Sequence, residues 1–227
     1  MLGRIVYQTG GGRLRLEEER ICGVPVARVE FDPEGWRAQR RLRRAGRLLA
    51  KAGVRQVLTP AEFDRWETLE RYGLRRVDPV PFLRAHGAEL AVAALRRAGK
   101  RPERCAVALR AERVDRDVVR AAEVLCGQVR DVCISVPRGG ESLRGSLRWE
   151  FGAAVRPDWE GVAAAVRFDP GTWEQAELLV DLFPPGPDPQ YVWVRLKEGE
   201  WGETERFSLI AALWERGKVG KTELEFA

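Results

Sequence analysis

The chain has 227 residues, of which 44% are hydrophobic and 32% are charged, a composition typical of a globular protein and unlike that of a disordered or fibrous one. No stretch approaches the about 18 consecutive apolar residues of a membrane-spanning helix, and no long apolar segment of a signal peptide follows Met1. We therefore expect a cytoplasmic protein in which residues 1–227 form a single domain.

The net charge of +5 is distributed unevenly along the chain. Residues 1–113 hold 25 Lys and Arg against 14 Asp and Glu, or +11, and residues 114–227 hold 14 against 20, or −6. The one histidine and the four cysteines lack the spacing of a metal site. We expect neither a metal nor a cofactor.

The first predicted element is an N-terminal β-hairpin over residues 1–20, in which residues 5–8 and 13–16 flank a glycine turn at residues 9–12. From residue 25 onward the hydrophobic period alternates between 2 and about 3.6, which predicts alternating strands and helices. The predicted strands are residues 25–31, 54–58, 75–77, 105–111, 129–136, 162–168, 178–183, 191–196 and 222–226. The predicted helices are residues 33–52, 60–72, 81–98, 115–126, 140–151 and 207–216, with a further helix from Pro170 as an alternative to the strand at 178–183.

An eight-residue pattern, V-x-F-D-P-x-x-W, occurs at residues 29–36 and again at residues 166–173. Each copy predicts the end of a strand and the start of a helix, with the aspartate as N-cap and the proline at the first helical position. The segments 25–79 and 105–158 also follow the same order of strands and helices. They are possible half-repeats, and an ancient duplication is one of two open explanations, the other being shared cap chemistry.

Strands that alternate with helices of 10 to 20 residues predict an α/β fold with a mostly parallel, Rossmann-like sheet in a three-layer α/β/α arrangement. The N-terminal hairpin and the C-terminal segment 184–227, which follows a proline-rich loop at 184–189, are expected to add antiparallel edge strands.

In such a sheet, ligands bind beyond the carboxyl ends of the strands. Two glycines between a strand and a helix allow backbone amides to approach an anion, and an arginine beside them would hold its charge. The same residues have structural explanations, since aspartate and threonine before proline are typical helix caps. The ligand-binding candidates are Asp32, Thr59, Arg138, Gly139, Gly140 and Asp169.

The helix predicted at 33–52 carries basic residues at a 3-4-3-4 spacing, which places them on one stripe opposite the apolar face. The stripe consists of Arg37, Arg40, Arg44, Arg47 and Lys51, and no acidic residue occurs between Glu34 and Glu62. It is either the solvated face of an amphipathic helix or a contact surface for an acidic protein, nucleic acid or an anionic lipid surface.

Three hypotheses for function follow. The first is a non-catalytic protein that contacts an acidic protein surface, or another copy of itself, through the stripe. The second is an enzyme or small-anion-binding protein that uses the strand ends. The third is a nucleic-acid-binding protein. No nucleophile motif is present, and the sole histidine, His86, has no obvious catalytic partner, so the sequence favours a protein that is not an enzyme.

Overall fold

The computed structural model describes residues 1–8, 14–34, 36–157, 160–170, 176–183, 190, 192, 194–196 and 206–226. Its internal contacts divide the chain into two units. The first comprises Met1–Pro79 and Leu196–Leu224, and the second comprises Val80–Arg195 and Glu225–Ala227. Each unit contains a five-stranded sheet, whereas the sequence predicts one sheet, and the single domain stays a prediction.

The sheet of the first unit has the order β2-β3-β1-β4-β5, in which β2 is antiparallel to β3 and the other neighbours are parallel. Helix α1 packs on β3 and on α2, and its apolar residues join the core of this unit. The elements of this unit are β1 (Leu2–Tyr7), β2 (Leu16–Ile21), β3 (Val24–Phe31), α1 (Ala38–Lys51), β4 (Gln56–Leu58), α2 (Trp66–Glu70), β5 (Arg75–Arg76) and, after the second unit in chain order, α7 (Arg206–Glu215).

The predicted N-terminal hairpin is wrong. Strand β1 pairs in parallel with β3 and β4, and the hairpin joins β2 to β3 through Cys22 and Gly23. Both turn residues have positive φ, 47° and 74°, as the two-residue turn that matches the strand twist requires. The predicted glycine turn at 9–12 lies outside the described residues.

The predicted helix start at residue 60, with Thr59 as its cap, is also wrong. Helix α2 begins at Trp66, and the segment before it contains a turn at residues 61–62, where the Phe63 amide donates to the Pro60 carbonyl at 3.1 Å. Phe63 is 5% exposed and packs edge-on against Trp66, with ring centroids 5.2 Å apart. Burial of the Phe63 ring in the core therefore decides the path of this segment, in place of the local capping signal.

The sheet of the second unit is entirely parallel, with the order β10-β9-β6-β7-β8. Helix α5 contacts α3, α4 and α6, and helices α4, α5 and α6 pack on the strands. Strands β6 and β7 are continuous apolar runs, as expected for strands buried on both sides. The elements are α3 (Val80–Ala85), α4 (Gly87–Arg97), β6 (Ala106–Arg110), α5 (Arg116–Cys126), β7 (Asp131–Ser135), α6 (Gly140–Phe151), β8 (Val155–Arg156), β9 (Val162–Arg167) and β10 (Leu178–Asp181).

The α/β class and the mostly parallel, Rossmann-like sheets are thus confirmed. Residues 178–181 form a strand parallel to β9, which decides against a helix there. Strands β11 (Val194–Leu196) and β12 (Leu224–Phe226) pair with each other and add to neither larger sheet, contrary to the expected antiparallel edges. The three-layer arrangement stays a prediction.

The predicted loop at 184–189 and the predicted helix start at 171–175, with Trp173, lie outside the described residues. In the part of the chain that the structure describes, no helix has the length and apolar content to cross a membrane.

Candidate functional site

Helix α1 is strongly amphipathic. Ala38, Leu42, Ala45 and Leu49 are at most 3% exposed, and their spacing of three to four residues places them on the face that packs against the core. The 14 residues of α1 extend over about 21 Å. The opposite face consequently presents a row of basic side chains over the length of the helix.

The basic side chains line a surface groove of about 790 Å³. All five residues of the predicted stripe belong to it, and none of the lining residues is acidic. Arg41 and Arg43 were not predicted because they lie outside the 3-4-3-4 spacing. We call this site the basic groove; its lining residues are Arg37, Arg40, Arg41, Arg43, Arg44, Arg47, Leu48, Lys51 and Tyr72.

Tyr72 contributes an aromatic ring to the basic groove. It follows α2, and its ring lies so close to α1 that a Cβ atom on Gly46 would be 2.7 Å from Cδ2 of the ring. The glycine therefore allows α1 and the ring to approach each other. The sequence shows no sign of this contact, because residues 46 and 72 meet only in the folded unit.

The cations of the basic groove have few counter-charges. Nη1 of Arg41 lies 3.3 Å from a carboxylate oxygen of Asp32. Among the residues that the structure describes, no carboxylate forms an ion pair with Arg40, Arg43 or Arg44. The same holds for Arg47. Side chains of one charge at this spacing repel each other, so the groove concentrates positive potential at the surface.

Trp36 adds a second aromatic side chain, directly before the groove. It is 85% exposed, and the Arg37 guanidinium lies 4.4 Å from the centroid of its ring. A stack of this kind is favourable as a cation–π contact and leaves the rest of the indole accessible to solvent. The ring of Trp36 is therefore not packed against the core.

Two of the six ligand-binding candidates belong to the sheet of the first unit. Asp32 follows β3, but it does not cap α1, whose N-cap is Arg37 and has no side-chain bond. Its carboxylate accepts a hydrogen bond of 3.0 Å from the Glu34 amide and the contact with Arg41 described above. Thr59 follows β4 and is 3% exposed.

The other four candidates belong to the sheet of the second unit, so the six residues do not share the rim of one sheet. The Asp169 carboxylate accepts a hydrogen bond from the Glu112 amide. The Arg138 amide donates to the Glu112 carbonyl at 3.3 Å, and the Arg138 carbonyl accepts from the Val114 amide at 2.9 Å. Gly139 has φ of 87°, which glycine adopts readily, and precedes the buried Gly140 at the start of α6. Ligand binding by these four residues stays a prediction.

An ionic cluster that the sequence did not indicate surrounds Arg84 in the second unit. Its guanidinium donates to Asp115, to Asp117 at 3.1 Å and to the Phe168 carbonyl, and lies 4.0 Å from the Asp169 carboxylate. Asp115 is also the N-cap of α5 and accepts from the Asp117 and Val118 amides. A guanidinium so surrounded has its charge compensated, and the cluster ties α3, α5 and the end of β9 together.

His86 has a structural place in the second unit. It is 2% exposed, Nδ1 lies 2.9 Å from the Phe82 carbonyl, and the ring stacks on Phe226 with centroids 5.4 Å apart. No group of three or more His, Cys, Asp or Glu among the described residues is placed to hold a metal ion.

Comparison with known proteins identifies no family. No protein-family model matches the chain, and no curated protein matches it. Among solved structures, L-tryptophan dehydrogenase from Nostoc punctiforme is similar at a TM-score of 0.34 and 17% identity over 70% of this chain and 51% of that one. A shikimate dehydrogenase in complex with NADP+ is similar at a TM-score of 0.33 and 14% identity over 72% of this chain and 68% of that one. This chain thus spans about half the length of the tryptophan dehydrogenase, and likenesses at these TM-scores carry no information on function.

Proposed function

We propose that this protein binds nucleic acid through the basic groove of α1. The observation that carries the proposal is the row of Arg40, Arg43, Arg44 and Arg47 along one exposed helix face without a carboxylate partner among the described residues. Phosphates of a nucleic acid backbone supply the missing counter-charges, and release of their condensed cations drives such binding.

The choice of side chain supports phosphate as the ligand. Six of the seven cations in the groove are arginine, whose planar guanidinium donates two parallel hydrogen bonds to a phosphate. Two aromatic rings, Tyr72 and Trp36, lie in or beside the groove. Aromatic rings beside arginine are typical of surfaces that bind single-stranded nucleic acid, where the rings stack on bases and the guanidinium groups contact phosphates.

The test is a comparison of two triple variants with identical net charge. The groove variant carries Arg40→Glu, Arg44→Glu and Arg47→Glu, and the control carries Arg96→Glu, Arg116→Glu and Arg120→Glu, which are exposed residues of the second unit. Each variant loses three positive charges and gains three negative ones, so the net charge falls from +5 by six to −1. We expect the groove variant to bind labelled oligonucleotides at least about 100-fold more weakly than the wild type and the control to bind within about threefold of it.

Equal weakening in both triple variants would contradict the proposal, because net charge rather than the groove would then govern binding. Tighter binding of polyglutamate than of oligonucleotides, lost in the groove variant, would overturn it in favour of the acidic protein surface. Self-association that only the groove variant abolishes, with no oligonucleotide binding, would overturn it in favour of contact between copies of this chain.

A further inference from the structure

The placement of Trp36 bears on which form of nucleic acid the groove accepts. We infer that the basic groove binds single-stranded nucleic acid, with one base stacked on the exposed indole of Trp36. This inference rests on the proposed function and specifies its ligand, because unpaired bases present their faces whereas bases in a duplex are already stacked.

The first reason is the exposure of the ring. Trp36 is 85% exposed, although burial of an aromatic side chain of this size is strongly favourable. Among the described residues, the other aromatic side chains with large exposure are Trp149 at 90% and Phe151 at 49%, both in the second unit. Of these three, Trp36 belongs to the unit that carries the groove.

The second reason is the orientation of the ring by Arg37. The guanidinium lies over one face of the indole, 4.4 Å from the ring centroid, and the 85% exposure of the side chain leaves the other face open to a base. Arg37 itself lines the groove, which places the indole next to the row of cations. A nucleic acid whose phosphates contact the cations along α1 therefore has a base within reach of Trp36 while its backbone stays in the groove.

The third reason is the chemistry of stacking. A base–aromatic stack requires no particular base, because every base has a π face, and it adds to the phosphate contacts without changing their number. The two contributions are thus separable: removal of the indole lowers affinity for ligands that have unpaired bases, and removal of a guanidinium lowers the salt dependence.

The experiment compares Trp36→Ala with the matched control Trp149→Ala, whose indole is equally exposed but lies in the other unit. Each variant is titrated with a labelled oligothymidylate long enough to span α1, with a mixed-sequence duplex and with inorganic polyphosphate, which has phosphates but no bases. We expect Trp36→Ala to weaken oligothymidylate binding about tenfold and to leave polyphosphate binding within about twofold of the wild type. Trp149→Ala is expected to change neither, and Trp36→Phe to restore most of the loss.

Three outcomes would overturn the inference. Equal weakening of oligothymidylate and polyphosphate binding would mean that Trp36 acts by placing Arg37. An unchanged affinity for oligothymidylate would exclude stacking. Duplex binding as tight as single-strand binding would exclude the specificity while leaving the proposed function intact. Absence of binding of either nucleic acid to the wild type would instead contradict the proposed function itself. Because Trp36 is exposed, equal denaturation midpoints of Trp36→Ala and wild type verify that the fold is unchanged.

Discussion

The arginines of α1 have different surroundings from those of the ionic clusters in the second unit. In the second unit, Arg84 donates to Asp115 and Asp117, and Arg167 pairs with Asp181 with side chains 14% and 17% exposed. On α1 of the first unit, most arginines face solvent and each other, without a carboxylate partner among the described residues. A paired, mostly buried arginine holds its fold together, whereas a row of unpaired ones costs stability through repulsion. The comparison therefore separates structural arginines from those available for a ligand.

Helices α1 and α5 also differ in the caps and charges at their N-terminal ends. Helix α5 has the N-cap Asp115 and a further aspartate in its first turn, both favourable at the positive end of a helix. Helix α1 has no side-chain cap, no acidic residue in its first turn and a basic N-cap residue, Arg37. Both helices follow the first strand of a possible half-repeat, so their difference is consistent with a surface function of α1. The duplication itself stays a prediction.

The largest expected effect of a single substitution is that of Arg84→Met. This change leaves the carboxylates of Asp115, Asp117 and Asp169 without their shared cation, and we expect the free energy of unfolding to fall by about 2 to 3 kcal/mol. Urea denaturation measures it, with the exposed Arg120→Met as control. A change within about 0.5 kcal/mol of wild type would contradict the structural role of Arg84.

The contact between Gly46 and Tyr72 predicts that the effect of Gly46→Ala on the free energy of unfolding changes sign when the Tyr72 ring is removed. Gly46→Ala gains about 1 kcal/mol in helix propensity but forces the Tyr72 ring to move, at a cost of about 1 to 3 kcal/mol, so we expect a net loss of about 1 kcal/mol. In a Tyr72→Ala background the same change is expected to raise the free energy of unfolding by about 0.5 to 1 kcal/mol. The same sign in both backgrounds would show that the ring does not restrict residue 46.

For a substitution on α1 we expect a change in the free energy of unfolding opposite in sign to that of Arg84→Met. Arg44→Glu replaces repulsion with attraction toward Arg40, Arg41 and Arg47, one helical turn away, and should raise the free energy of unfolding by about 0.5 to 1 kcal/mol. The gain should decrease as salt is added, because exposed charges are screened. If Arg44→Glu destabilises the protein as Arg84→Met does, the distinction between the two classes of arginine fails.

The smallest expected effect concerns how far the positive potential of the basic groove extends, which the pKa of Tyr7 at the end of β1 reports. Burial raises the pKa of Tyr7 above its ordinary value of 10.0, and the charges of Glu62 and Asp64 raise it further against the opposing effect of Arg65. Since the folded-state pKa is raised, the neutral phenol contributes stability below pH 10, and this contribution is lost as the pH rises through the folded-state pKa. Ultraviolet absorbance of the phenolate should show a component above pH 10 that Tyr7→Phe removes. A Tyr7 that ionises below pH 10 would mean that the positive potential of α1 extends to the end of β1.

The sequence was sufficient where structure follows from local periodicity. The 3-4-3-4 spacing of Arg37, Arg40, Arg44, Arg47 and Lys51 predicted the basic face of α1, because neighbouring turns of a helix present these positions together. The hydrophobic runs predicted β6 and β7, since strands buried on both sides have no alternation. These elements depend on residues close to one another in the chain.

The sequence was insufficient where tertiary contacts compete with local signals. The hairpin was assigned to the wrong strands because a cysteine, Cys22, takes a positive φ that turn statistics reserve for glycine and asparagine. The capping signal at Thr59 was overridden by burial of Phe63. The cluster around Arg84 joins residues 31 or more positions apart, and the contact of Tyr72 with Gly46 leaves no periodic trace.

The salt dependence of single-strand binding tests the central claim most directly, namely that the arginines of the basic groove bind phosphates. The logarithm of the binding constant should fall linearly with the logarithm of the salt concentration, with a slope of about −0.7 for each phosphate contacted. The double variant Arg44→Gln, Arg47→Gln should therefore reduce the magnitude of the slope by about 1.4, while Arg116→Gln, Arg120→Gln leaves it unchanged. An identical slope in wild type and the Arg44→Gln, Arg47→Gln variant would contradict the claim.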